Sequence, residues 1–236
     1  MSEPWLSGLL ACSLNVDAEA VRQVLHARGL KTRSVPAGRA KGAWTCVTDR
    51  GTLAVVVSGH GAEAAQQAAS FWMPRARWLV LAGAGPGTGL VDSGTVVLDG
   101  DHDLGVLAAR GAPPTTPTQN SRVATVGEAE VGEAGRATLA ASGYAAWDAN
   151  IDTWRRAASA VGGVTLVAHG ITSTAQAGHD LASEIQDGGT GRPWWRVALG
   201  WISPRTRAQQ QRADDEHKRA VSGAARCAVS ALLGPA

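Results

Sequence analysis

The sequence predicts an α/β fold, a mixed central sheet flanked by helices and closed by a long C-terminal helix. Three observations predict it. Short apolar runs of strand length alternate with stretches of helical spacing, the rhythm of a sheet covered on both faces. Glycine clusters fall where those runs end, and the 29 glycines among 236 residues fit tight turns and close packing. Hydrophobic residues make up 44% and charged residues 18%, which supplies one sizeable core and is the reverse of a disordered chain. Residues 1–236 are therefore read as a single domain.

The elements follow in order. Leu6–Leu14 is an apolar run of strand type, and Asn15 or Asp17 can cap the helix that Gly29 stops. Residues 31–42 are basic and glycine-containing, so a loop is expected. Ala43–Thr48 and Thr52–Ser58 flank Asp49-Arg50-Gly51 as a β-hairpin. Ser58-Gly59-His60-Gly61 turns into a helix near 62–72, which Pro74 ends. Trp78–Ala82 is a strand, Gly83–Gly89 a glycine loop, and Thr95–Leu98 a strand. Residues 111–121, rich in Pro and Thr, form the one linker-like stretch. Strands at 122–126, 144–149 and 164–169 then alternate with helices near 133–142 and 152–161. From Arg205 to Leu233 one long helix is expected, its first half charged and its second half packed through Val221, Ala224 and Ala228.

Composition excludes several function classes. Lys and Arg number 22 against 20 Asp and Glu, and a net charge of +2 is too even to argue for nucleic acid. Cys12, Cys46 and Cys227 are far apart in sequence, so buried free thiols are expected rather than a disulfide framework or a CxxC metal site. The N-terminus lacks the basic stretch and apolar run of a signal peptide, and no run reaches the roughly 18 apolar residues of a membrane span. A cytoplasmic protein with no transmembrane segment is expected. Asp99, Asp101, His102 and Asp103 are nearly consecutive, a spacing that seldom folds onto one ion, so no metal and no cofactor are expected. Gly83-Ala84-Gly85-Pro86-Gly87 is no dinucleotide fingerprint, because Pro86 and the turn after it do not open a helix.

The order of motifs carries more than any one of them. A strand ends in Ser58-Gly59-His60-Gly61 before an Ala-rich helix. A second strand enters a glycine loop ending Gly89-Leu90, and Asp92-Ser93-Gly94-Thr95-Val96-Val97-Leu98-Asp99 follows. Over most of residues 9–175 this resembles the superfamily of purine nucleoside phosphorylases and methylthioadenosine/adenosylhomocysteine nucleosidases. The C-terminal part, residues 191–236, diverges and resembles hopanoid-associated nucleosidases only weakly. The resemblance implies cleavage of an N-glycosidic bond in a purine or modified nucleoside by a homodimer.

It also implies a site. A Glu early in the first helix activates water in the nucleosidases, which points to Glu19. His60 falls on a position that lines the substrate pocket, and Gly85, Pro86, Gly87 and Thr88 match the loop near the anomeric carbon. The ribose clamp falls on Asp148-Ala149-Asn150, making Asn150 the clamp, or by a one-residue shift on Asp152. Ser173 stands where the family carries the Asp that protonates the leaving base, and His169 is the nearest titratable group. A serine supplies no proton at a useful pKa, so adenine cleavage by the usual route is in doubt. No Arg lies in 58–61 or 83–90, which favours water over phosphate as nucleophile. The alternatives are a phosphorylase, a degenerate member that binds a nucleoside without turnover, and an interaction protein.

Nine Trp against one Tyr and one Phe remain to be placed. Trp5, Trp44, Trp72, Trp78, Trp147 and Trp154 lie on or beside expected core elements. Trp194, Trp195 and Trp201 accompany Arg192 and Arg196, a cluster suited to packing, an apolar substrate tail, a partner subunit or a membrane face.

Overall fold

The computed structural model describes residues 6–127, 131–172 and 204–235. Its strands are β1 (Gly8–Cys12), β2 (Arg33–Ser34), β3 (Gly42–Thr48), β4 (Gly51–Val57), β5 (Trp78–Pro86), β6 (Val96–Gly100), β7 (Thr118–Asn120), β8 (Arg122–Thr125), β9 (Tyr144–Asp148) and β10 (Val164–Thr172). Its helices are α1 (Asn15–Ala27), α2 (Ala62–Trp72), α3 (His102–Arg110), α4 (Glu133–Ala141), α5 (Ile151–Ala160) and α6 (Pro204–Leu233). Eight strands form a sheet in the order β2-β3-β4-β1-β5-β10-β6-β7, and β8 and β9 pair separately. The centre, β4-β1-β5-β10, is parallel, so four strand ends open on one side of the sheet.

The central strands read as unbroken apolar runs because both of their faces are covered. All five residues of β1 are buried. Leu9 and Ala11 pack on one face with Ala65, Trp72, Ile151 and Trp154 from α2 and α5. Leu10 and Cys12 pack on the other with Val21, Leu25, Leu104, Ala225 and Val229 from α1, α3 and α6. Trp72 and Trp154 are among the largest fully buried side chains, the bulky filler expected of them. Trp5, Trp194, Trp195 and Trp201 lie outside the described residues. All three cysteines are buried and free, and burial pushes the Cys227 thiol up to about 12.

Several boundaries differ from expectation, each for a tertiary reason. The strand at Trp78 runs through the first half of the glycine loop to Pro86, because β10 supplies a ladder partner at every position from Val164↔Trp78 to Thr172↔Pro86. The expected loop 31–42 contains β2, paired to β3, and the linker-like stretch contains β7, paired to β6. Neither Asn15 nor Asp17 caps α1 in the expected way: the cap position is Leu14, and Asp17 is turned inward and buried.

The long C-terminal helix crosses the sheet at close range. A Cβ on Gly170 of β10 would stand 2.3 Å from the Ala220 carbonyl oxygen of α6. Backbone cannot yield as a flexible side chain does, so Gly170→Ala is expected to destabilise the protein by about 3 kcal/mol. Urea denaturation checks this, and an unchanged midpoint would contradict the close approach.

Candidate active site

A small pocket opens at the carboxyl ends of the parallel strands, where open α/β sheets bind ligands. Residues of β1 and β5, the segment from Asp148 to Trp154, and Val167 and His169 of β10 line it. The sequence builds it locally from strand ends: Ser13 follows β1, Ser58 and Gly59 follow β4, Gly83 and Gly85 lie late in β5, and Asn150 opens α5.

Asn150 ties these ends together. It is 2% exposed. Its Nδ2 donates to Ser13 Oγ at 2.8 Å and to the Gly59 carbonyl at 2.8 Å, and lies 3.5 Å from Ser58 Oγ. Its backbone N–H donates to Asp148 Oδ1 at 2.7 Å. Its Oδ1 is buried and has no partner. Asp152, the alternative clamp, is exposed on the first turn of α5, and its backbone N–H donates to Thr125 Oγ1. The structure thus brings Asn150, and not Asp152, to the strand ends.

Asp17 is the residue the sequence reading missed. It is 3% exposed, and its Oδ1 has no partner. A Cβ on Gly83 would meet its Oδ2 at 3.9 Å, so Asp17 flanks the pocket. Burial and then the nearby charge of Asp148 raise its carboxyl to about 8, against a partly offsetting hydrogen bond from the Leu14 backbone. Glu19, two residues on, points about 200° away around the helix. It is 52% exposed, pairs with Arg22 at 2.7 Å, and lines a groove between α1 and α6 on the outer face. A signal for Asp17 existed: with Val21 and Leu25 it forms an i, i+4, i+8 row on the buried stripe of α1.

His169 completes the set. It is 2% exposed, and its Nε2 has no partner. A Cβ on Gly85 would stand 3.1 Å from that nitrogen, so the glycine makes room for the ring. Burial lowers its pKa, against a smaller opposing effect of the Asp148 charge, so the ring is neutral near pH 7. Asp17, Asn150 and His169 therefore present three buried polar atoms without protein partners, at one end of one sheet. Such atoms are costly unless something pairs with them.

The remaining expected residues are scaffold or rim. Thr88 Oγ1 donates to the Tyr144 carbonyl at 2.7 Å, and its N–H donates to the Ala145 carbonyl, which docks the glycine loop on β9. A Cβ on Gly87 would stand 2.7 Å from the Ile171 side chain. Pro86 is the last residue of β5. His60 is exposed in a turn whose flanking glycines have φ of 93° and 92°. Ser173 lies outside the described residues. Asp99 accepts from the Val123 N–H and pairs with Arg155, and Asp101 caps α3. No group of three possible metal ligands exists among the described residues.

Solved structures share the fold. The chain is similar to the 5′-methylthioadenosine/S-adenosylhomocysteine nucleosidase of Neisseria meningitidis in complex with methylthio-immucillin-A, with a TM-score of 0.69 and 12% identity over 96% of this chain and 98% of that one. The fold is that of the nucleosidases. The corresponding enzyme of Colwellia psychrerythraea 34H, in complex with adenine, gives a TM-score of 0.70 and 13% identity over 98% of this chain and 96% of that one. Futalosine hydrolase of Helicobacter pylori gives 0.67 and 10% over 97% of each. No family model and no curated protein matches the chain. The nucleosidase fold answers the expected architecture, including the helix that closes it. No helix among the described residues is long and apolar enough to cross a membrane.

Proposed function

We propose that this protein hydrolyses the N-glycosidic bond of a purine or modified ribonucleoside. One observation carries the reading: three buried, unpartnered polar atoms, of Asp17, Asn150 and His169, lie at the same end of the sheet of a nucleosidase fold. In this reading Asp17, as carboxylate, takes the proton from an attacking water. Asn150 Oδ1 accepts from a ribose hydroxyl, and its amide nitrogen, held by Ser13 and Gly59, fixes that oxygen in place. His169 Nε2 offers a second polar contact to the sugar or the water. Gly83, where a Cβ would meet only Asp17 Oδ2 at 3.9 Å, lets the ligand approach β5 closely.

Water is favoured over phosphate because no Lys or Arg is among the described residues that line the pocket. Arg75 and Arg77 precede β5 and stack near Phe71 and Trp78, at the strand end away from Gly85. The homodimer implied by the family resemblance is part of the same proposal.

The test is a panel of nucleosides incubated with the protein, with and without phosphate, and assayed for free base. Release independent of phosphate is expected, and light scattering is expected to give twice the chain mass of 24.2 kDa. Phosphate-dependent release would replace the hydrolase with a phosphorylase. No release from any nucleoside, with tight binding of one, would leave a binding protein.

A further inference from the structure

Asn150 fixes the direction of a hydroxyl at the pocket. Ser13 directly follows β1, is half-buried, and carries the only hydroxyl among the described residues that line the pocket. The Gly59 carbonyl can only accept, so the Asn150 atom 2.8 Å from it is the amide nitrogen. That nitrogen has two hydrogens. One goes to Gly59 and the other to Ser13 Oγ at 2.8 Å. Ser13 Oγ is therefore the acceptor in this bond, and its own hydrogen points away from Asn150. Ser58 differs: its one hydrogen has the Gly59 carbonyl at 2.9 Å and the Cys12 carbonyl at 3.3 Å, so it is turned to the backbone. No acceptor among the described residues takes the Ser13 hydrogen, which is left for the pocket that Ser13 lines.

The oxygen of the same amide completes the pattern. Asn150 Oδ1 is buried and has no partner, and it shares its amide carbon with the nitrogen that holds Ser13. A donor and an acceptor thus stand side by side, one amide carbon and one hydrogen bond apart. Two neighbouring hydroxyls of a ligand match that pair: one donates to Asn150 Oδ1 and the other accepts from Ser13. A ribose carries such hydroxyls as its 2′,3′-cis-diol.

We propose that Ser13 is a substrate-binding residue that donates to one hydroxyl of the ribose diol while Asn150 accepts from the other, and that the pair selects ribosides over deoxyribosides. The inference rests on the hydrolase reading above. A deoxy analogue leaves either the Ser13 hydrogen or Asn150 Oδ1 unpaired, and a site built to pair a hydroxyl rejects the analogue that lacks it.

The experiment takes adenosine, inosine and guanosine with the 2′-deoxy and 3′-deoxy form of each, and measures kcat and KM in the wild type, Ser13→Ala and Asn150→Ala. In the wild type the KM of each deoxy form is expected to lie about tenfold or more above that of its ribonucleoside. Ser13→Ala is expected to lower kcat/KM for the ribonucleoside about tenfold or more and to leave one deoxy form within about threefold, the form lacking the hydroxyl that Ser13 reads. Asn150→Ala should spare the other deoxy form. A Ser13 that only held Asn150 in place would spare the same form in both variants. Comparing each substrate between proteins cancels the greater intrinsic lability of 2′-deoxynucleosides. Equal KM for the ribonucleoside and both deoxy forms in the wild type, an equal loss on all three in Ser13→Ala, or the same form spared in both variants would overturn the inference and leave the hydrolase standing. Cleavage of no nucleoside in this set or in the wider panel would overturn both.

Discussion

Asp17→Asn is expected to reduce hydrolysis by 10²–10⁴-fold, the range for loss of a positioned general base, while the protein stays folded. Asn keeps the shape and removes the charge. The wild type should show log kcat/KM rising with pH at unit slope and levelling off above about 8, the point to which burial and Asp148 raise the Asp17 carboxyl. The base must be ionised to accept a proton, so activity is lost as pH falls. Stability has the opposite sign. Asp17 has a folded value of about 8 against an ordinary 3.8, so the folded state binds the extra proton between those limits. Its favourable contribution is complete below the lower value and is lost as pH rises through the upper one, on the order of 1.4 kcal/mol for each pH unit between. Asp17→Asn should therefore be more stable than the wild type at pH 9 by a few kcal/mol and nearly equal to it at pH 4. Urea denaturation at the two pH values checks this. A variant that is inactive yet no more stable at pH 9 would show that Asp17 is not a buried carboxyl.

Asn150→Ala is the second large effect, and it should strike activity and stability together. The side chain joins the end of β1, through Ser13, to the end of β4, through Gly59, across 137 and 91 positions of sequence. Its loss removes two buried hydrogen bonds, to Ser13 Oγ and to the Gly59 carbonyl, which together contribute about 1–3 kcal/mol. For a domain of this size that lowers Tm by roughly 2–4 °C per kcal/mol. Loss of the Oδ1 acceptor should raise KM for the nucleoside at least tenfold. Asn150→Asp keeps an acceptor but brings a third carboxylate beside Asp17 and Asp148. It is expected to shift the rising limb of the pH profile further upward. Calorimetry and the same base-release assay separate the two contributions. A full-strength KM in Asn150→Ala would remove Asn150 from the ribose site.

The sequence by itself determined the architecture. Unbroken apolar runs marked strands buried on both faces, helical spacing marked what covers them, and glycine clusters marked where strands end. These are local signals, because burial on a face imposes a period on the residues that supply it. The order of the glycine motifs carried the likeness to the nucleosidases, and that likeness pointed to Asn150 or Asp152.

Tertiary structure decided which side chains meet. Glu19 and Asp17 are both acidic residues early in α1, and family position pointed to Glu19. Two residues on a helix differ by about 200°, so docking of the Val21 and Leu25 face on the sheet sent Asp17 inward and left Glu19 with Arg22 on the outside. The choice between Asn150 and Asp152 turned on the same rotation at the start of α5. His169 became part of the site only because Gly85 on the neighbouring strand has no Cβ, a contact between residues 84 positions apart in the chain. The shift of Asp17 is likewise non-local, since it comes from burial and from Asp148, and neither is written in the residues next to it.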